Sequence, residues 1–386
     1  MSAAKAKAKG QAREQPPTDQ TAAERPARRV LITGLSSYWG GRLAQALEAF
    51  AEIEAIVGVD SRDPTTELER TEFVKVSNHH GLIQRIVGAA RIDTVIDTRL
   101  VVDSVTTSRR EAHENNVIGT MNILAACAGP ESPVRKFIFK SSAHVYGCEQ
   151  DDPAFFTESM NRSHRPSTAI ERDVVEAEAA VIDFAIKQAN VDVTVLRCAN
   201  VLGPDVQTSH SRMFSLPLVP MVLGFDPRCQ FVHEDDVVHA LEHAAIHRIP
   251  GVYNLGGDGV LALSEVISLL GKRPAPLLPP WGTGLLTTPL RSLGLRIPDE
   301  MLNQLRFGRG IDNRRYKSSG FEYGYTTRES VLAFAEHLRL HPILRGVEQS
   351  YTYEGEVERF LRRSRLTRPQ EDAEDPAGTE REPFGI

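Results

Sequence analysis

Gly34 ends the apolar run Val30-Leu31-Ile32-Thr33, and Gly40 follows six residues later at the head of an amphipathic stretch that reaches Phe50. A second apolar run, starting at Ala55, ends in Asp60. A strand-to-helix turn of this kind offers backbone N–H groups and the positive end of a helix dipole to a pyrophosphate. Gly34 permits the sharp turn and Gly40 lets the helix approach the sheet, while an acidic residue closing the next strand accepts the adenosine ribose hydroxyls. The set predicts a dinucleotide site. Asp60 favours NAD over NADP because its carboxylate repels a 2′-phosphate, and Arg62 pulls the other way. Ser37 stands at the middle glycine position of the turn, so a side chain occupies the point where phosphates come close.

Two further residues have types suited to chemistry. Ser142 closes the apolar run Lys136–Ser142, and the C-terminal ends of parallel strands face the ligand crevice. His144 shares its side if the strand continues, and an unperturbed pKa of about 6.5 makes it a candidate base whose turnover would rise with pH through that range. The alternative is a histidine that only hydrogen-bonds its own loop. Arg172 and Asp173 read as a solvated helix face. His233, Asp235 and Asp236 read as structural, and the scattered Cys127, Cys148, Cys198 and Cys229 form no ligand pair, so no metal is expected.

The elements that must position these groups follow from the pattern. Short apolar strands alternate with helical stretches up to about Gly203, which predicts an α/β, Rossmann-type, doubly wound parallel sheet followed by a smaller C-terminal substrate lobe. The expected division is a disordered tail over 1–28, a dinucleotide-binding domain over 29–203 with elements returning from the C-terminal half, a substrate lobe over 204–345, a helical extension over 346–366 and a disordered tail over 367–386. The apolar, proline-interrupted stretch Pro274–Pro298 is expected to bury Trp281 against the small lobe. With 386 residues and a net charge of −6 there is no overall basic footprint, so nucleic acid is disfavoured as a partner. No apolar run reaches about 18 residues, which argues against stable membrane insertion, and no secretory leader is visible, so a cytoplasmic location is expected.

Several separate motifs now resemble the extended short-chain dehydrogenase/reductase family, in its nucleotide-sugar epimerase and dehydratase branch, over about Arg29–Leu344. The N-V-x-G-T-x-N-x-L helix starts at Asn116, the S-S-A-x-V-Y-G strand end runs from Ser141 to Gly147, and Thr157-Glu158 follows. The L-R-x-x-N-V-x-G-P segment spans Leu196–Pro204, and Phe231–Val237 and Tyr253–Gly257 keep the family order. The resemblance implies NAD as cofactor and a nucleotide sugar as ligand. It implies a cofactor site of Gly34, Ser37, Tyr38, Trp39, Gly40, Asp60, Ser61, Arg62, Thr98, Arg99 and Asn116. Asn116 would brace the sheet near the active site, Ser142 would orient the substrate, and Asn200 would hold its phosphate. It also implies a homodimer through a four-helix interface.

The departures matter equally. The family uses a tyrosine and a lysine four residues later on one helix face; counted from Thr157-Glu158, those positions hold Ala169 and Asp173, and neither neighbouring register supplies the pair. A phenol that works as a base near neutrality depends on a cation to lower its pKa, and neither alanine nor aspartate replaces it. Arg99 stands where the family has a small residue, and Ser77-Asn78 where it often has an acidic one. Two readings follow: an NAD-dependent epimerase or dehydratase with weak or altered catalysis, in which Ser142 and His144 carry the chemistry, or an inactive nucleotide-binding scaffold.

Overall fold

The computed structural model describes residues 27–76, 80–102, 107–277 and 299–340. Trp281, Ser77, Asn78, the C-terminal extension and nearly all of both tails lie outside the described residues.

The strands in chain order are β1 (Arg29–Thr33), β2 (Ala55–Asp60), β3 (Thr71–Lys75), β4 (Thr94–Asp97), β5 (Lys136–Ser142), β6 (Phe155–Phe156), β7 (Asp192–Cys198) and β8 (Asn200–Leu202). They continue as β9 (Leu218–Val222), β10 (Arg228–Cys229), β11 (Phe231–His233), β12 (Gly251–Leu255), β13 (Leu261–Ala262), β14 (Arg273–Leu277) and β15 (Gly308–Ile311). Seven of them form one parallel sheet in the order β12-β7-β5-β4-β1-β2-β3. The order reverses between β1 and β4, and ligands bind outside the strand ends at such a switch point. Its central strands read as continuous apolar runs because helices cover both faces. Helix α1 (Tyr38–Leu47), α2 (His80–Ala89), α3 (Arg109–His113), α4 (Thr120–Cys127), α5 (Ala169–Lys187) and α7 (Glu234–Ile246) supply that cover, while α6 (Ser209–Ser215) packs on β8 and β9. α1 packs on α7, and α4 packs between α2 and α5.

After β7 the described chain leaves the sheet and returns once, as β12. Around that return a separate apolar core forms from Leu202, Phe214, Phe231, Leu263, Val266, Met301 and Phe334 among others. A four-stranded sheet, β13-β10-β15-β6, joins this lobe to the loop after Ser142. Ala27 and Arg28, which the expected tail includes, are held against the sheet. Ala27 is fully buried and its N–H donates to Ala245 O at 3.3 Å, while Asp93 accepts the Arg28 and Arg29 amides, because β1 is central and its entry must be tied down. Among the described residues no helix is long and apolar enough to cross a membrane.

Candidate functional site

The turn after β1 is built by Gly34 at φ +83, a conformation that side chains rarely adopt. Gly40 is equally constrained, since a Cβ there would stand 2.2 Å from Gly34 O. Ser37 borders the open space beside the turn. It caps α1, its Oγ accepting from the Gly40 N–H at 3.1 Å. Beside the turn lies a cavity of about 500 Å³, with Asp60, Ser61 and Arg62 at one edge and apolar walls from Val59, Val76, Ile83 and Ile123. The Asp60 carboxylate is held by three amides, Ser36 N at 3.0 Å, Ser61 N at 2.6 Å and Arg62 N at 3.3 Å. A flat base between apolar walls and a ribose diol against a fixed carboxylate suit this donor set, so the residues fit the adenosine half of NAD.

The side chains of other expected cofactor residues also make contacts within the protein. Tyr38 turns toward α7, its hydroxyl accepting from Arg42 Nη1 at 2.8 Å, and Arg42 pairs with Asp235 at 2.8 Å. Thr98 is buried and bonds Thr33 O at 2.9 Å. Asn116 clamps Val101 in both directions, at 2.8 and 2.7 Å, and thereby fixes the loop after β4 from a π-helical turn over Glu114–Gly119. Arg99 is partly buried and lines the cavity beside the turn. It forms a two-point ion pair with buried Asp97, Nε to Oδ1 and Nη2 to Oδ2 each at 3.0 Å, and lies across Gly34.

A second cavity of about 120 Å³ lies at the C-terminal ends of β5 and β7, bounded by Trp39, Lys140, Ser142, His144, Asn200 and Gln304 among others. The strand stops at Ser142, and a 3-10 turn over Ala143–Tyr146 follows, yet the turn still brings His144 back. His144 N donates to Ser142 Oγ at 3.3 Å, and Ser142 Oγ lies 2.7 Å from His144 Nδ1. With the hydroxyl donating to Nδ1, the proton of the neutral imidazole sits on Nε2. Nε2 lies 3.0 Å from Gln304 Nε2, and the buried Gln304 Oε1 is without a partner among the described residues. Turning the amide over lets its oxygen accept from Nε2–H and moves the unpartnered position to its NH2 group. The arrangement is then a relay, Ser142 to His144 to the Gln304 carbonyl. Burial pushes His144 well below the ordinary histidine value, and the charges of Arg309, His210 and Arg162 add to it. The expected titration near pH 6.5 is thus displaced to lower pH.

Asp173 corrects a second expectation. It is buried, not solvated, and receives His113 Nδ1 at 2.8 Å, whereas Arg172 stays exposed. Ala169 opens α5, so that helix brings no phenol or ammonium to the cleft. His233 caps α7, accepting from Asp235 N at 3.2 Å, and no metal-binding cluster occurs among the described residues. Below the site, Glu178 on α5 takes Arg197 through Nε and Nη2 at 2.9 and 2.6 Å and also accepts from Ser141. Arg197 reaches Tyr146, whose hydroxyl donates to Asn254 at 2.7 Å. This network fixes the end of β5, so Ser141 serves the fold and Ser142 faces the cavity.

The family model for the NAD dependent epimerase/dehydratase family matches residues 30–256, more than half of the chain. The chain belongs to that family. Among curated proteins it is 33% identical over 326 residues to the uncharacterized protein Rv0501 of Mycobacterium tuberculosis, covering 82% of this chain and 85% of that protein. Among solved structures it resembles MoeE5 in complex with UDP-glucuronic acid and NAD, with 24% identity, TM-score 0.61 and coverage of 81% and 99% of the two chains. It also resembles the UDP-glucuronic acid 4-epimerase from Bacillus cereus in complex with NAD, with 17% identity, TM-score 0.61 and coverage of 81% and 97%. At these identities the likeness establishes the extended short-chain dehydrogenase/reductase fold.

Proposed function

We propose that this chain binds NAD and a nucleotide sugar, and that the sugar's hydroxyl proton moves through Ser142 and His144 instead of a tyrosine and lysine pair. The observation that carries the reading is the 2.7 Å contact between Ser142 Oγ and His144 Nδ1 at the cavity wall. Asp60 takes the adenosine ribose, the N-terminus of α1 faces the pyrophosphate, and Asn200, which lines the second cavity, takes the substrate phosphate. NAD supplies a hydride acceptor when bound. The remaining work falls to the chain: Ser142 accepts the substrate proton as it passes its own to His144, and Gln304 holds the imidazole in the tautomer that permits this. Turnover is slow, because an imidazole whose basicity burial has lowered gives up part of the roughly 10² to 10⁴ that general-base assistance supplies. The exposed Ile118 and Met121 support a homodimer of this chain.

A second reading, ligand binding without turnover, is favoured by Arg99 lying over Gly34. Native mass spectrometry of the purified full chain, followed by assay with UDP-hexoses, separates the two. The expected result is retained NAD and sugar nucleotide, with slow turnover that His144→Ala abolishes and Ser142→Ala weakens. Retained ligands without turnover assign the second reading. Vigorous turnover that survives His144→Ala overturns the relay, and a chain that binds neither ligand overturns both.

A further inference from the structure

Lys140 lies two residues before Ser142 on β5, so the two side chains leave the strand on the same side. Lys140 is 4% exposed, and its Nζ lies 4.6 Å from the centroid of the Trp39 ring. No carboxylate or carbonyl pairs with that ammonium among the described residues, and burial pushes its pKa below the ordinary lysine value, offset in part by Cys198. The other buried lysine of the same strand shows the contrast. Lys136 Nζ donates to Ala244 O, Ala245 O and His247 O at 3.3, 2.6 and 3.0 Å.

The surroundings do not supply the missing charge. Neither the cavity at Lys140 nor the adjoining space beyond Asn200 is lined by any Asp or Glu among the described residues. The adjoining space instead holds Arg228 and the buried Arg309, whose Nη2 has no partner among the described residues. A buried ammonium without a counter-ion is costly, and a ligand anion that enters the cavity offsets that cost. The anion belongs to the sugar end of a ligand, because Lys140 stands beside Ser142 and His144, whereas the phosphates are taken by Asn200.

We propose that this cavity takes the carboxylate of a nucleotide-linked uronic acid, with Lys140 as its counter-ion. The inference rests on the nucleotide-sugar reading above and narrows it to acidic sugars. It is tested by isothermal titration of the full chain with UDP-glucuronic acid, UDP-glucose and UDP. UDP-glucuronic acid should bind at least about tenfold more tightly than UDP-glucose, and Lys140→Met should remove that preference while leaving UDP-glucose binding in place. Without ligand, Lys140→Met should melt higher than the parent chain, since it removes an uncompensated buried charge. Lys140→Gln serves as the second variant if methionine disturbs folding. Equal affinity for the two sugars overturns the inference and leaves the nucleotide-sugar reading standing, as does a preference that persists in both variants. UDP binding as tightly as UDP-glucuronic acid overturns it in favour of a phosphate at Lys140. A chain that binds none of the three overturns both readings.

Discussion

Arg99 lies directly over Gly34: a Cβ added at Gly34 would stand 2.5 Å from Arg99 Cγ. The guanidinium is held there by Asp97, whose side chain is 1% exposed against 9% for Arg99. Asp97 also accepts from Thr33 Oγ1 at 2.8 Å, which links the first and fourth strands at the switch point. Arg99 therefore closes the floor of the dinucleotide turn and ties it to the sheet.

Removing one partner of such a pair leaves the other charge buried and unpaired. Arg99→Ala should destabilise the chain by about 3 kcal/mol, the usual scale for a broken buried pair. The double variant Arg99→Ala with Asp97→Asn should regain most of that loss, because the orphaned charge is gone. Urea unfolding of the four proteins of this cycle measures the coupling. Additive losses would show that the pair contributes nothing.

Asp60 should decide the cofactor. Its carboxylate is fixed by three backbone amides at the rim of the 500 Å³ cavity, so it cannot swing away from a 2′-phosphate. NAD should bind at least about tenfold more tightly than NADP, and Asp60→Asn should narrow the difference by removing the repulsion. Fluorescence titration with each cofactor checks this. Tighter binding of NADP by the parent chain would assign the dominant role to the exposed Arg62.

The dinucleotide turn and the parallel sheet were legible in the sequence for a physical reason. Strands buried on both faces are apolar throughout, and a turn that needs φ +83 at one position and no Cβ at another restricts those positions to glycine. That α5 carries no tyrosine is read directly from its residues. Partners were not legible. Gln304 meets His144 across 160 residues and Asp173 meets His113 across 60, and no local pattern marks either. Lys140 was hidden inside the run Lys136–Ser142, where alternation gives the side of the strand but not whether a counter-ion waits there.

Glu234 should leave a mark on the pH dependence of stability. It is 1% exposed, and burial, with Asp205 and Asp235 adding, raises its carboxyl to about 7. Between about pH 4.5 and 7 the folded chain holds a proton that the unfolded chain has lost, so this group's contribution to stability falls as pH rises through that window. The loss amounts to about 3 kcal/mol at 1.36 kcal/mol per unit. Glu234→Gln should therefore gain on the parent chain from pH 5 to pH 7.5, as followed by urea midpoints. A constant difference between the two proteins would mean that Glu234 titrates normally.

The relay makes the sharpest prediction. With burial and the nearby Arg309, His210 and Arg162 pushing His144 well below the ordinary histidine pKa of 6.5, its charge should stay constant from that value up to about pH 8. Turnover that depends on it should be flat across that range instead of rising through the histidine value. Gln304→Glu places a carboxylate against Nε2, where the amide now sits 3.0 Å away. An opposite charge at that distance favours the imidazolium and raises the histidine pKa. The variant should show a rising limb of activity near neutral pH, and its His144 resonance should titrate in a range where that of the parent does not. Gln304→Leu removes the acceptor without adding charge, so it should lower activity evenly at all pH values. If Gln304→Glu leaves both the resonance and the pH profile unchanged, Gln304 does not orient His144, and the contact between Ser142 and His144 must act without it.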